Sequence, residues 1–279
     1  MEETMRLALK TVYTIWLREA KTFVREKFRV VAMIAQPLLY LAVLGNGISS
    51  GVTLNASGGI NYLTFMYPGV IGMSILFTSI FSAVSIIWDR EFGFLKEVLV
   101  APVPRWAVAL GKTLGGATIA IVQATILILI APIIGIHLSP GIIVEMWIMA
   151  FLIGVALTSL GIAIAARMSS MQGFQMIMNF LIMPLYFLSG AMFPLASAPT
   201  WIKALMTVNP LTYFVDGLRN ILFSGTTMAT GGLVGRTIVE VATRAGLIRW
   251  SLIFDLTVVA GVAVLLTAAG AYRFSNQAE

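Results

Sequence analysis

The chain has 279 residues, of which 59% are hydrophobic and only 11% charged, with a formal net charge of +6 and a mean hydropathy of +0.94. A soluble domain carries about 45–50% apolar and about 25% charged residues, so too little polar surface is present to cover a water-soluble globule, and the composition defines an integral membrane protein. The sequence contains no cysteine, which excludes a disulfide framework and any thiolate metal site.

In chain order, residues 1–29 form the first unit. Leu9, Val12, Tyr13, Trp16, Ala20, Phe23 and Phe28 recur at helical spacing, while Arg6, Lys10, Arg18, Lys21 and Arg25 gather opposite, beside Glu19 and Glu26. This pattern predicts an amphipathic interfacial helix in the cytoplasmic headgroup layer. Such a helix serves as a topology anchor, as a connecting helix that touches a cytoplasmic partner, or as both. No short apolar core with a small-residue cleavage site lies near Met1, so a cleavable signal peptide is not expected.

Residues 30–279 read as a single transmembrane domain. A crossing helix needs about 20 predominantly apolar residues. Six segments meet that length: 30–48, 62–88, 106–134, 142–166, 173–193 and 250–272. Each is too long and unbroken for a barrel strand of about 10 alternating residues, so the expected fold is all-α with six transmembrane helices. With the N-terminus inside, thirteen of the eighteen Lys and Arg residues fall on the cytoplasmic side, and the short outer loops 49–61 and 135–141 hold none. The charge therefore reads as topology, with both termini cytoplasmic and no nucleic-acid partner.

Several motifs fall short of the chemistry they suggest. Gly111-Lys112-Thr113 has the tail of a phosphate-binding loop, but Trp106 stands where the leading glycine belongs. Lys112 is instead expected to snorkel near the inner end of the third span. "GNGISSG" at 45–51 places Ser50 where a dinucleotide fingerprint needs its third glycine. The single histidine, His137, lies in an outer loop without a cysteine or carboxylate cluster, so no metal site and no catalytic triad is expected. No ionisable side chain is expected at mid-membrane, since Lys112, Glu145 and Asp255 lie near span ends; this disfavours a proton-coupled transporter.

Two span faces carry polar groups. Span two has Ser74, Thr78, Ser82 and Ser85, with Phe77 and Phe81 alongside, and span five has Gln172, Gln175 and Asn179 with Tyr186 further along. Amides and hydroxyls in lipid need partners, so these faces turn toward protein or toward a cavity. Helix–helix packing and a substrate path are both compatible with the pattern. The spacing Gly111-xxx-Gly115 supports close helix packing.

The densest charge lies in "WDREFGFLKEVLVAPVPRW", residues 88–106, between spans two and three. "REFGFLKEVL" can form a short amphipathic helix with Phe92, Leu95 and Leu99 on one face and Arg90, Glu91, Lys96 and Glu97 around the rest. Pro102 and Pro104 stop it before the third span starts at Arg105. Its apolar face suits a groove on a soluble partner, and its charges suit fixing register; the alternative is a loop helix without a partner. After span five, Asn209 is placed to cap a helix beginning at Pro210. At about 14 residues, that helix is short for a crossing and suits either a re-entrant outer segment or an interfacial helix on the outer surface.

At these two places the chain resembles the type-2 ABC exporter permeases. "REFGFLKEVLVAPVPRWAVALGK" is similar to their cytoplasmic loop, and "SGAMFP", "PTWI" and "NPLTYFVDGLR" within 187–223 are similar to their segment after the fifth span. The resemblance implies half of a dimeric pore, with a second permease chain, most simply a homodimer, in the cytoplasmic membrane. It implies that a loop helix, Arg90, Glu91, Phe92, Gly93, Phe94, Leu95, Lys96, Glu97 and Val98, couples to separate ABC ATPase subunits that carry ATP and magnesium. It implies a path lined by Ser74, Phe77, Thr78, Phe81, Gln175, Asn179 and Tyr186, and an outer gate at Asn209, Pro210, Tyr213, Asp216 and Arg219. The expected cargo is amphipathic or hydrophobic, such as drugs, lipid-like molecules or antibiotics. The rival readings are export of polysaccharide, a secondary transporter or channel subunit, and an intramembrane enzyme that lacks its nucleophile and metal constellations.

Overall fold

A computed structural model describes residues 2–45, 62–93, 103–136, 138–168, 170–224, 235–244 and 246–275. All regular structure in the described residues is helical. Helix α1 covers Glu2–Arg25 and α2 covers Lys27–Tyr40, running on into a π turn at Leu41–Gly45. Helices α3 (Tyr62–Ser82) and α4 (Val84–Glu91) are nearly continuous. Then follow α5 (Arg105–Ile130) with a 3₁₀ turn at Ala131–Ile134, α6 (Pro140–Ala165) and α7 (Met171–Phe187). The remaining helices are α8 (Thr200–Val208), α9 (Pro210–Ser224), α10 (Gly235–Arg244) and α11 (Leu252–Ser275).

Among the described residues, four stretches are long and apolar enough to cross a membrane: Tyr62–Glu91, Arg105–Ile134, Pro140–Ala165 and Leu252–Ser275. They coincide with four of the six expected segments. The other two are shorter as helices, because α2 has only 14 residues before its π turn and α7 has 17.

The core forms where α6 packs against α5, α11, α3 and α9. Phe65, Tyr67, Ile75, Leu76, Ile153 and Phe214 are fully buried there. Prolines inside these helices leave carbonyls to be satisfied by neighbours, because each lacks the N–H of its i→i−4 bond. Pro37 frees the carbonyl of Met33, and Nε2 of Gln123 on α5 donates to that oxygen at 3.1 Å. By contrast, α7 packs mainly against α3 and α4. Met176, Ile177, Phe180, Met183 and Phe187 stay exposed along it.

Candidate functional site

The site is built where α4 ends, α5 begins and α1 lies against both. Helix α1 packs along α5 because two glycines let the backbones approach. A Cβ on Gly111 would sit 2.7 Å from Cβ of Ile15, and one on Gly115 would sit 2.7 Å from Cβ of Glu19. The buried face of α1 is Ala8, Ile15, Glu19 and Phe23. Nε1 of Trp16 donates to the hydroxyl of Thr118 at 2.9 Å. This corrects the expected apolar face in part, since Leu9, Tyr13 and Phe28 are exposed. The helix has two apolar stripes, and the glycine notch on α5 selects the one that buries.

Beside that notch, four charged side chains from three helices meet. Lys112 Nζ on α5 is 2.8 Å from Oε1 of Glu19 on α1 and 2.6 Å from Oδ2 of Asp89 on α4. Arg18 of α1 pairs with Oδ1 of the same Asp89. Nζ of Lys112 also donates to the hydroxyl of Ser85 at 2.9 Å. Lys112 and Asp89 are 3% and 5% exposed, so little water screens their pairing. Contrary to the expectation from sequence, Lys112 does not snorkel. With acids on two neighbouring helices, its ammonium is held inward, where leaving it unpaired would be costly. The Gly111-Lys112-Thr113 motif is therefore a packing and ion-pairing feature.

The expected loop helix starts differently. Arg90 and Glu91 are the last residues of α4, and Gly93 takes a left-handed φ of 79° just beyond its end. Glycine reaches that conformation without a Cβ clash, so the chain turns there. Phe92 is 84% exposed. Phe94, Leu95, Lys96, Glu97 and Val98 lie outside the described residues.

Arg90 has an unexpected partner. Its Nη1 donates to the carbonyl of Met168 at 2.6 Å and its Nη2 to that of Ala166 at 2.9 Å, just beyond the C-terminus of α6. Arg105 likewise donates to the carbonyl of Ser275 at the end of α11, at 3.0 Å. Helix C-termini present unsatisfied carbonyls and partial negative charge, which suits a guanidinium. Together these contacts bind the ends of α4, α5, α6, α11 and α1 into one joint.

The residues expected along a path separate into two groups. Ser74, Phe77, Thr78 and Phe81 of α3 line a cavity of about 260 Å³ against α2, together with Gln36 and Pro37. Gln175 and Asn179 of α7 are exposed on the single chain and do not join that cavity, and Tyr186 is buried. At the opposite end of the bundle, Asn209 caps α9, since its Oδ1 accepts from the N–H of Leu211 at 3.0 Å while Nδ2 donates to the carbonyl of Leu185 at 2.7 Å. Pro210 opens α9, and Tyr213 packs on Trp250 with centroids 4.6 Å apart.

Asp216 accepts from the backbone N–H of Trp250 at 3.0 Å and of Arg249 at 3.1 Å. Arg219 donates to the carbonyls of Leu247 at 2.9 Å and Gly190 at 3.1 Å and lies 4.2 Å over the Phe65 ring. These groups fasten α9 to the segments that precede α8 and α11. Asp255 joins them through Nδ2 of Asn220 at 3.2 Å and is fully buried in the first turn of α11. Among the described residues, no group of three or more His, Cys, Asp or Glu could hold a metal ion.

The described residues thus form a helical bundle with a charged joint at one end and a capped helical cluster at the other. Comparison with known proteins assigns its class. The model of the ABC-2 type transporter family matches residues 10–223, and the chain belongs to that family. The transport permease ycf38 of Cyanophora paradoxa is 30% identical over 205 residues, covering 71% of this chain and 70% of its own. The inner membrane transport permease YadH of Escherichia coli K12 is 25% identical over 221 residues, covering 77% and 84%. YbhR of the same organism, named a probable multidrug ABC transporter permease, is 28% identical over 165 residues, covering 58% of this chain and 44% of that protein. The chain is thus a membrane-embedded ABC-2 permease.

Proposed function

We propose that this permease is the transmembrane subunit of an ATP-driven exporter, paired with a second permease chain and driven by separate ABC ATPase subunits that bind ATP and magnesium. The observation that carries the reading is the ion-paired joint. Arg18, Glu19, Asp89 and Lys112 lock α1 to the end of α4 and the start of α5. The charged loop 90–98 leaves α4 at that lock, so a push on the loop is delivered to three helices as one body. Arg90 extends the body to the end of α6.

In this reading, the joint faces the cytoplasm of a plasma or inner membrane, with both termini on that side. The helices α2 with its π turn and α7 complete six spans; at about 1.5 Å per residue, 17 residues rise about 26 Å, near the lower limit for a crossing. The lightly packed α7 exposes Gln175 and Asn179 beside Phe180, and a second copy supplies the partners those amides need in lipid. Helix α9 and its caps close the outer side. The cargo is amphipathic or hydrophobic, in keeping with the name carried by YbhR. Helix α1, Glu2–Arg25, acts as the connecting helix.

The test is purification of the chain together with candidate ABC ATPases. A co-purifying P-loop ATPase is expected. Glu91→Arg combined with Phe94→Ala is expected to weaken that association while leaving membrane insertion intact. Unchanged assembly and transport in the double variant would overturn the coupling assignment.

A further inference from the structure

A second cavity, of about 470 Å³, lies between α1, α4 and the start of α7, and Arg29 and Phe81 line it as well as the 260 Å³ cavity between α2 and α3. The two adjoin across those side chains as a two-part crevice. Its wide end is ringed by ion-paired groups, Arg18 with Asp89 and Arg29 with Glu26, and by Phe23 and Trp88. Its narrow end sets Met33, Pro37 and Phe77 beside the polar groups of Gln36, Ser74, Thr78 and Gln123.

Among the described residues, two buried polar atoms of side chains that line the narrower cavity lack a hydrogen-bond partner. One is Nη2 of Arg29, whose Nη1 is held by Glu26 at 3.2 Å. The other is Oε1 of Gln123, a side chain only 1% exposed whose amide nitrogen is committed to the carbonyl freed by Pro37. A buried guanidinium N–H without an acceptor is costly, and an anion restores it with a charge-assisted bond. An amide oxygen without a donor suits a hydroxyl or amide N–H. The volumes are in the range of small-molecule sites, and the lining mixes aromatic and aliphatic side chains with hydroxyls, amides and charged pairs.

We propose that this crevice binds an anionic amphiphile: a phosphate or carboxylate head on Nη2 of Arg29, an aliphatic chain along Phe77 and Phe81 between α2 and α3, and a polar group near Gln123. The proposal deepens the exporter reading and rests on it for one of two sources, the transported cargo; the other source is a phospholipid of the bilayer.

The purified permease in phosphatidylcholine nanodiscs is titrated with a dansyl-labelled long-chain fatty acid, with dodecyl phosphate and dodecyltrimethylammonium as competitors. Saturable binding is expected, displaced by the phosphate and not by the ammonium. Arg29→Gln is expected to weaken it about tenfold, as loss of a charged hydrogen bond does. Arg29→Lys is expected to retain most of the affinity, and Lys203→Gln, on α8 at the opposite end of the bundle, all of it. Equal displacement by the cationic amphiphile, or an Arg29→Gln affinity within twofold of the parent, would overturn the proposal.

Two further arms identify the source. Phosphatidylglycerol nanodiscs that pre-empt the probe assign the site to a bilayer lipid. Arg29-dependent stimulation of ATP hydrolysis by dodecyl phosphate, in vesicles carrying the ATPase subunits, assigns it to cargo. A site responding in neither arm contradicts a functional role. Binding by the permease alone needs no ATPase, so failure of ATPase association would leave this site standing, and loss of the Arg29 effect would leave the exporter reading standing.

Discussion

Lys112→Met tests the joint most sharply, because methionine keeps the length and volume of the lysine stem while removing its charge. Lys112 pairs with Glu19 and Asp89, and Asp89 keeps Arg18, so the group left stranded is chiefly Glu19. Removing one partner from a buried ion pair costs about 3–5 kcal/mol, and the remaining Arg18 pair points to the lower end. About 3 kcal/mol corresponds to a roughly 100-fold shift in the docking equilibrium of α1. The chain has no native cysteine, so Ala8→Cys provides a single reporter at a position 2% exposed when α1 is docked. Labelling of that thiol by a hydrophilic maleimide is expected to accelerate by about that factor in Lys112→Met. Adding Glu19→Gln to Lys112→Met is expected to recover most of the protection, since it removes the stranded charge. A labelling rate within threefold of the parent, or no recovery in the double variant, would refute the reasoning.

Other perturbations report on neighbouring contacts. Gly115→Leu drives a side chain into Cβ of Glu19, and the same thiol reporter is expected to lose protection even with all four charges intact. Arg90→Gln removes the guanidinium from the carbonyls of Ala166 and Met168; hydrogen exchange at residues 162–168 is expected to rise by about tenfold or more, since a charged hydrogen bond is worth about 1.5–3 kcal/mol. Asn209→Ala removes the cap on Leu211 N–H and the link to Leu185, costing α9 about 1–2 kcal/mol, read as faster exchange in its first turn.

Much of the fold was legible because local composition determines it. Apolar length marked the four long spans, and Asn209-Pro210 marked the start of α9 by capping chemistry alone. Gly111-xxx-Gly115 signalled close packing, though not which helix would fill the notch. What local pattern could not supply was pairing across distance. Glu19 and Lys112 are separated by 93 positions, and nothing in either neighbourhood names the other. Arg90 is bound by backbone carbonyls, which have no sequence signature. Likewise, the Ser74–Phe81 stripe was legible as a polar face, but its neighbour is α2, where Pro37 exposes a carbonyl and draws Gln123 into the same region. The orphaned Nη2 of Arg29 follows from that packing, so the crevice became visible only in three dimensions.

The measurement that bears most directly on the central claim is transport by the purified permease in vesicles, with and without its ATPase subunits, using dodecyl phosphate or another amphiphile as probe. Movement that requires ATP and both components, and that falls together with ATPase coupling in Lys112→Met, is the result the account predicts. Equal movement by the permease alone, driven by an ion gradient, would contradict it.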